Sequence, residues 1–271
     1  MLPNCKFGRA ENEAEEVFSH HSPLTPNKKK AIMKKMKRIS LMAMAVLMGT
    51  AAMAQDAERV ETTLSADVVN QYIWRGQDLG NVSLQPTLGV AWQGLSLTAW
   101  GSVGLSDPSD TKEFDLTLGY TTGGLNIGIT DYWTNAGDDP EGRYFKYGAH
   151  GTNHVFEANI GYDFGVVSAQ WYTNFAGNDG VNEDGKRAYS SYVELCAPFR
   201  LAACEWTATI GVVPYATSYY ETTGIALTNV SLRAVKDIKV TDTFSVPLFA
   251  AVTGNPYAKK AYLEFGITLA P

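Results

Sequence analysis

The sequence predicts an all-β fold, a closed antiparallel up-and-down transmembrane β-barrel of about twelve strands. Three observations predict it. Polar and apolar residues alternate along segments of strand length, the connections between segments alternate between short and long, and aromatic residues occur near segment ends. A strand that crosses a membrane needs about 9 to 11 residues. The alternative is an exported soluble β-sandwich, because alternation alone does not say which face is buried.

The alternation has a period of two residues from the first predicted strand to the last. In the stretch after Gly94, for example, Leu95, Leu97 and Ala99 alternate with Ser96 and Thr98. Side chains with this period point to opposite faces of a sheet. The predicted strands begin near residues 62, 82, 94, 112, 124, 153, 166, 187, 204, 227, 241 and 258. Pro86 and Pro247 fall within such strands, where we expect a bulge or a strand end because proline lacks a backbone donor.

Connections between the predicted strands follow a second regularity. Short ones, such as Gln93-Gly94 and the TTGG stretch at 121–124, alternate with longer polar ones, such as GQDLGNVS at 76–83 and residues 135–153. An even number of strands with the long loops on one side is typical of bacterial outer-membrane barrels. Aromatic residues near the strand ends favour interfacial girdles. They are Tyr72, Trp74, Trp92, Tyr120, Trp133 and Tyr162.

The N-terminal segment predicts export. Residues 33–54 have the order of a signal peptide, in which a basic cluster at 34–38 precedes an apolar stretch that ends in Ala52-Met53-Ala54. That order favours cleavage before Gln55. We expect residues 1–32 to be a disordered upstream extension, with the true start at Met33 or Met36. Residues 55–271 then form the barrel.

The charge composition limits the kinds of binding partner that we expect. From Gln55 onward the chain carries 13 basic and 24 acidic residues, and a chain this acidic does not attract polyanions. We therefore expect no nucleic-acid partner. A helical membrane bundle is not predicted either, because no apolar run after residue 54 approaches the ~20 residues of a spanning helix. The expected partners are outer-membrane lipid and small solutes or cations.

The first strands carry a resemblance to a known family. The stretch LSADVVNQYIWRG from Leu64 to Gly76, followed by LQPTLGVAW and GLSLTAWGSVGL, resembles the start of the Gcw_chp family of bacterial outer-membrane β-barrels. Members of that family also open with a strand that ends in an aromatic residue, arginine and glycine. The resemblance covers about the first fifth of the mature chain, and it implies location and architecture, since the family has no established activity. The chain ends Leu269-Ala270-Pro271, without the terminal aromatic residue of many barrels.

If the polar face of the strands is the lumen, its charged residues can be named in advance. The acidic candidates outnumber the basic ones, and an acidic lining raises the local concentration of cations. This predicts a passive, narrow pore for small or cationic solutes. The alternative is a closed structural barrel in which the same groups pair with one another. The lumen candidates are Asp67, Arg75, Glu113, Asp115, Glu157, Glu194, Glu205, Arg233, Lys260 and Glu264.

The sequence leaves two other functions open besides the pore. A surface-binding or adhesion protein would use the outer loops, with the aromatic residues Tyr144, Phe145, Tyr147, Tyr215, Tyr219 and Tyr220. An outer-membrane hydrolase would need a general base. His150 and His154 are the histidines of the predicted mature chain that could serve as an imidazole base. Two exposed loop histidines are the simpler interpretation. We therefore expect no catalytic residue, no metal and no cofactor.

Cysteine usage leaves two alternatives open. Cys196 and Cys204 are the cysteines of the predicted mature chain. An oxidising compartment would allow a cross-hairpin disulfide between them. Two free thiols on adjacent strands would give the same sequence, and the distance between the Cα atoms decides between these alternatives.

Overall fold

The computed structural model describes residues 60–107, 110–135, 142–148, 151–242 and 244–271. The predicted signal peptide and upstream extension lie outside these ranges. No helix long and apolar enough to cross a membrane occurs among the described residues. The chain order is β1 Glu61–Val69, β2 Tyr72–Trp74, β3 Gln77–Gly80, β4 Ser83–Trp92, β5 Leu95–Gly104, β6 Lys112–Thr122, β7 Leu125–Asn135, β8 His154–Asp163, β9 Ser168–Gly177, β10 Ser191–Leu201, β11 Cys204–Val213, β12 Ala226–Lys239, β13 Ser245–Asn255 and β14 Lys260–Leu269.

Twelve of these strands close into one antiparallel barrel. β1 pairs with β4 on one side and with β14 on the other, and each strand from β4 to β13 pairs with the next strand in sequence. The register at closure places Val69 opposite both Ser83 and Gly266. The predicted fold class and strand number are confirmed, and each predicted start lies within four residues of a barrel strand's observed start.

The two ends of the barrel differ in the length of their connections. At the short-turn end, β4 and β5 are joined by Gln93 and Gly94, both with positive φ. Ala202 and Ala203 make the same kind of turn between β10 and β11. Such left-handed pairs fit the twist of a two-residue hairpin. The long-loop end carries the connections at 70–82, 105–111, 136–153, 178–190, 214–225 and 256–259.

The apolar face of the barrel points outward. Leu97 and Ile210 are 50% and 51% exposed, whereas Glu113 and Glu157 are 8% and 3% exposed. A sandwich would show the opposite arrangement, with the apolar face buried between its sheets. A closed sheet with an apolar outer face and a polar inner face is the architecture of a membrane barrel. The soluble-sandwich alternative is therefore wrong.

Pro86 fits its strand differently from our expectation. It lies opposite Ala66 in a β1–β4 pairing that runs without a register shift. On its other side the β4–β5 ladder lacks pairs at Gln85 and Pro86 and then resumes in the same register. A local gap therefore replaces the expected bulge. Pro247, by contrast, lies near the start of β13, just before the first residue paired with β14.

The connection between β1 and β4 is a hairpin. β2 and β3 pair through Tyr72 with Gly80, Ile73 with Asp78, and Trp74 with Gln77. Tyr72 is buried, and its ring lies 5.5 Å from that of Trp100. We name residues 72–80 the inner hairpin, because its tip contacts inward-facing residues of several wall strands. The longer polar connection predicted at 76–83 is thus part of a hairpin that enters the barrel, and the placement of Tyr72 and Trp74 in an interfacial girdle is wrong.

Candidate functional site

The tip of the inner hairpin is built for close approach to the wall. Arg75 and Gly76 both have positive φ, 49° and 79°, as a two-residue turn of type I′ requires. The Gly76 carbonyl accepts a hydrogen bond of 3.0 Å from Asn255 Nδ2. A Cβ atom on Gly76 would collide with the carbonyl oxygen of Thr228 on β12. Glycine is therefore needed here both for its backbone angle and for space.

The Arg75 guanidinium is held by the Glu157 carboxylate of β8. Nη1 and Nη2 of Arg75 donate to Glu157 Oε2 and Oε1 at 2.5 and 2.9 Å. Tyr132 donates from its hydroxyl to Glu157 Oε1 at 2.9 Å. The side chains of Arg75 and Glu157 are 7% and 3% exposed. A buried two-point contact of this kind fixes both the position and the orientation of the arginine.

Aromatic rings surround the same guanidinium. Its carbon lies 4.4, 4.0 and 4.7 Å from the ring centres of Trp74, Tyr172 and Tyr192, within the range of cation–π attraction. Arg75 also donates to the Tyr220 hydroxyl at 2.7 Å. Burial raises the pKa of Tyr220, an effect that the Arg75 cation opposes. We name the set of Arg75, Glu157 and these rings the arginine cage.

A pair of carboxyl groups lies beside the hairpin. Glu113 and Asp115 are two residues apart on β6, both buried, and Glu113 is next to the Tyr72 hydroxyl. Glu113 Oε2 and Asp115 Oδ1 have no hydrogen-bond partner in the described part of the chain. Buried oxygen acceptors therefore lie inside the barrel, close to the inner hairpin that narrows the lumen.

A cavity of about 220 Å³ lies between the hairpin tip and the wall from β11 to β14. Arg75 contributes a charge from the hairpin tip, and Arg233 and Glu264 contribute the charges of the wall. Their closest atoms are 3.9 Å apart, and the Arg233 guanidinium rests 3.7 Å from the ring centre of Phe249. Asn229 contributes an amide to the same lining.

The predicted lumen residues occupy three different places. Arg75 reaches the interior from the hairpin tip and not from a wall strand. Glu205 is 66% exposed and pairs with Arg200 at the short-turn end, and Lys260 is exposed at the long-loop end, so both lie at the mouths of the barrel and not in its middle. By register and burial, the others lie on the inward face of their strands. These are Asp67, Glu113, Asp115, Glu157, Glu194, Arg233 and Glu264.

Sequence reasoning missed the aromatic half of the cage. Tyr132, Tyr172 and Tyr192 lie on the polar face of their strands, on the same side as Thr130, Gln170 and Glu194. Aromatic residues in an otherwise polar series were the available signal. They indicate a lumen that is packed against something, since a water-filled wall does not need large rings.

The cysteines are free thiols on adjacent strands. Cys196 lies opposite Thr209, whereas Cys204 lies opposite Leu201, five residues away along β11. Five residues span roughly 16 Å at the rise of a β-strand, and an odd separation points the two side chains to opposite faces. The disulfide alternative is therefore wrong.

His154 is fully buried, contrary to the expected exposed loop position. It begins β8 on the outer face, where Nδ1 lies 2.7 Å from Asp131 Oδ1 and Nε2 lies 2.5 Å from the Tyr144 carbonyl oxygen. Tyr147 stacks on the ring at 4.1 Å. Residues 142–148 thus cover this outer pair, and we name them the outer clasp. His150 lies outside the described residues.

The aromatic residues proposed for loop binding separate into two groups. Tyr219 and Tyr220 are turned inward and pack against Trp74, at 6.2 and 6.0 Å between ring centres. Phe145 is 87% exposed on the outer clasp, where Tyr144 packs between Phe114 and Trp133. Tyr147 and Tyr215 are partly exposed. The loops therefore offer fewer free rings than their sequence predicts.

No cluster of three or more metal-ligating side chains occurs in the described ranges. No protein-family model matches the chain, and no curated protein matches its sequence. The resemblance to the Gcw_chp family accordingly stays a prediction from the first strands.

Proposed function

We propose that this protein is an outer-membrane barrel of a Gram-negative bacterium that acts as a narrow pore for small, chiefly cationic solutes. The inner hairpin is its constriction. The observation that carries the proposal is the interior itself, in which buried carboxylates face a lumen narrowed by the hairpin. The predicted signal peptide and the outward apolar face support the location.

The charge of the interior favours cations. Arg75 is neutralised by Glu157, and Arg233 is the other inward cation among the predicted lumen residues. Asp67, Glu113, Asp115, Glu194 and Glu264 then leave the inward face acidic. Carboxylates in a confined, low-dielectric path act on a passing ion more strongly than surface charges do.

Unpaired polar atoms of the interior also support a preference for cations. Within the described residues, several inward carboxylate and amide oxygens lack a hydrogen-bond partner, so the interior has acceptor capacity that its own side chains leave unused. They are Asp67 Oδ1, Glu113 Oε2, Asp115 Oδ1, Gln170 Oε1, Asn174 Oδ1 and Asn229 Oδ1.

Planar-bilayer recordings of the refolded protein test the proposal. We expect small conductance steps and a reversal potential in a salt gradient that indicates cation preference. The double variant Glu113→Gln/Asp115→Asn should reduce that preference several-fold, because one unit charge is worth about 1 kcal/mol to a cation at ~4 Å even in water. Glu205→Gln is the matched control, since this carboxylate is exposed at the short-turn end, away from the hairpin, and is paired with Arg200.

Two results would overturn the pore. Silence of correctly folded protein would favour a closed structural barrel, in which the hairpin only fills the interior. Anion preference, or an equal effect of the control variant, would remove the role of the inward carboxylates.

A further inference from the structure

The cavity beneath the hairpin tip has the size and lining of a small-solute site. Its volume of about 220 Å³ is below the roughly 300 to 1,000 Å³ of pockets for drug-sized ligands. Hydroxyl groups line much of it, from Thr207, Thr209, Ser231 and Thr253. The occupant that fits is therefore small and polar.

Asn229 lines this cavity, and its amide has a fixed orientation. The Tyr192 hydroxyl donates to Glu194 Oε2 at 2.8 Å, so it must accept the hydrogen bond of 3.0 Å from Asn229 Nδ2. This orientation leaves Asn229 Oδ1 without a partner in the described chain, although the residue is more than nine-tenths buried. A buried acceptor in this state favours a ligand that brings a donor.

Arg75 is already paired with Glu157, and the two charged wall residues of the lining are incompletely paired with each other. The 3.9 Å separation of Arg233 and Glu264 exceeds the 2.7 to 2.9 Å of a charge-assisted hydrogen bond. The Arg233 guanidinium carbon lies over the Phe249 ring, 3.7 Å from its centre, and a guanidinium in such a contact can still donate to a carboxylate through its N–H groups. The cavity thus offers one cationic and one anionic contact side by side.

We propose that this cavity binds a small zwitterion of the free α-amino acid class. Its carboxylate pairs with Arg233, and its ammonium group donates to Glu264. The inference rests on the proposed function, because the solute must reach the cavity through an aqueous lumen. It also gives the pore a solute class beyond inorganic cations.

Binding to the refolded full-length barrel in detergent tests the site. Alanine, ethylamine, propionate and glucose are compared by saturation-transfer NMR and isothermal titration. We expect alanine to bind, and ethylamine and propionate to bind at least about tenfold more weakly, because each lacks one charge-assisted contact. Arg233→Gln and Glu264→Gln should each weaken alanine binding by a similar factor. The exposed pair supplies matched controls, Arg200→Gln and Glu205→Gln.

The results separate this site from the pore. Absence of alanine binding to folded protein, equal binding of ethylamine, or binding of glucose alone would each overturn the zwitterion site, whatever the conductance. Equal losses in the control variants would also overturn it. Alanine binding with the expected variant pattern supports the site even if the bilayer recordings are silent, in which case the conducting pore fails and the lumen site stands.

Discussion

Two segments of the long-loop end pack against the barrel wall, one inside and one outside. The inner hairpin is held by the Arg75–Glu157 pair, and the outer clasp is held by the His154–Asp131 pair. Both contacts join a buried cationic or basic side chain to a carboxylate. The two environments differ, because the inner pair faces a polar lumen and the outer pair lies on the apolar face of the barrel.

The inner attachment has more independent contacts than the outer one. Glu157 bonds Arg75 at two points and also accepts from Tyr132, while three rings and the Tyr220 hydroxyl surround the guanidinium. His154 has one contact with Asp131, one with a backbone carbonyl and one stacked ring, Tyr147. The comparison indicates that the hairpin is a firm part of the fold and that the outer clasp is more easily detached.

Removing the inner carboxylate should have the largest effect. Glu157→Ala leaves Arg75 as a buried cation without its partner, which costs about 3 to 5 kcal/mol. The hairpin should then leave the wall and expose the Arg75–Gly76 bond to trypsin. Mass spectrometry of the digest should show a fragment that ends at Arg75, which we expect to be absent from the wild-type digest.

The control for that variant is Glu205→Ala, which removes an exposed partner of Arg200. Exposed pairs contribute about 0 to 1 kcal/mol. Urea unfolding of both variants gives the comparison. Equal stability losses, or an Arg75–Gly76 bond that resists trypsin in Glu157→Ala, would contradict the firm attachment.

A Cβ atom at the hairpin tip should have the next largest effect. In Gly76→Ala the left-handed backbone costs about 1 to 2 kcal/mol, and the collision with Thr228 adds overpacking of about 1 to 3 kcal/mol. Gly165→Ala has a similar φ of 88° but no neighbour within 4 Å of the added atom, so it isolates the backbone cost. Trypsin cleavage at Arg75 should increase in the first variant only, and equal unfolding free energies would contradict close packing of the tip.

The sequence predicts the strands of the barrel far better than the hairpin and the side-chain contacts inside it. Period-two alternation places Leu97 outside and Glu113 inside because in a closed sheet the two faces meet only two environments. The hairpin depends on contacts between distant positions, such as Arg75 with Glu157, and no local pattern encodes these. The same is true of Glu205, whose alternation matches its neighbours although its place at the short-turn end leaves it in solvent.

The smallest effect is expected at the outer clasp. His154→Phe keeps a ring against Tyr147 but removes both hydrogen bonds, and the loss of about 1 to 2 kcal/mol should increase hydrogen exchange in residues 142–148. The double variant His154→Phe/Asp131→Leu removes both charged partners from the apolar face, and it should recover much of the unfolding free energy because no unpaired carboxylate remains. Trypsin should leave the Arg75–Gly76 bond intact in both variants. Cleavage there would mean that the two attachments are coupled through β8, which carries both His154 and Glu157.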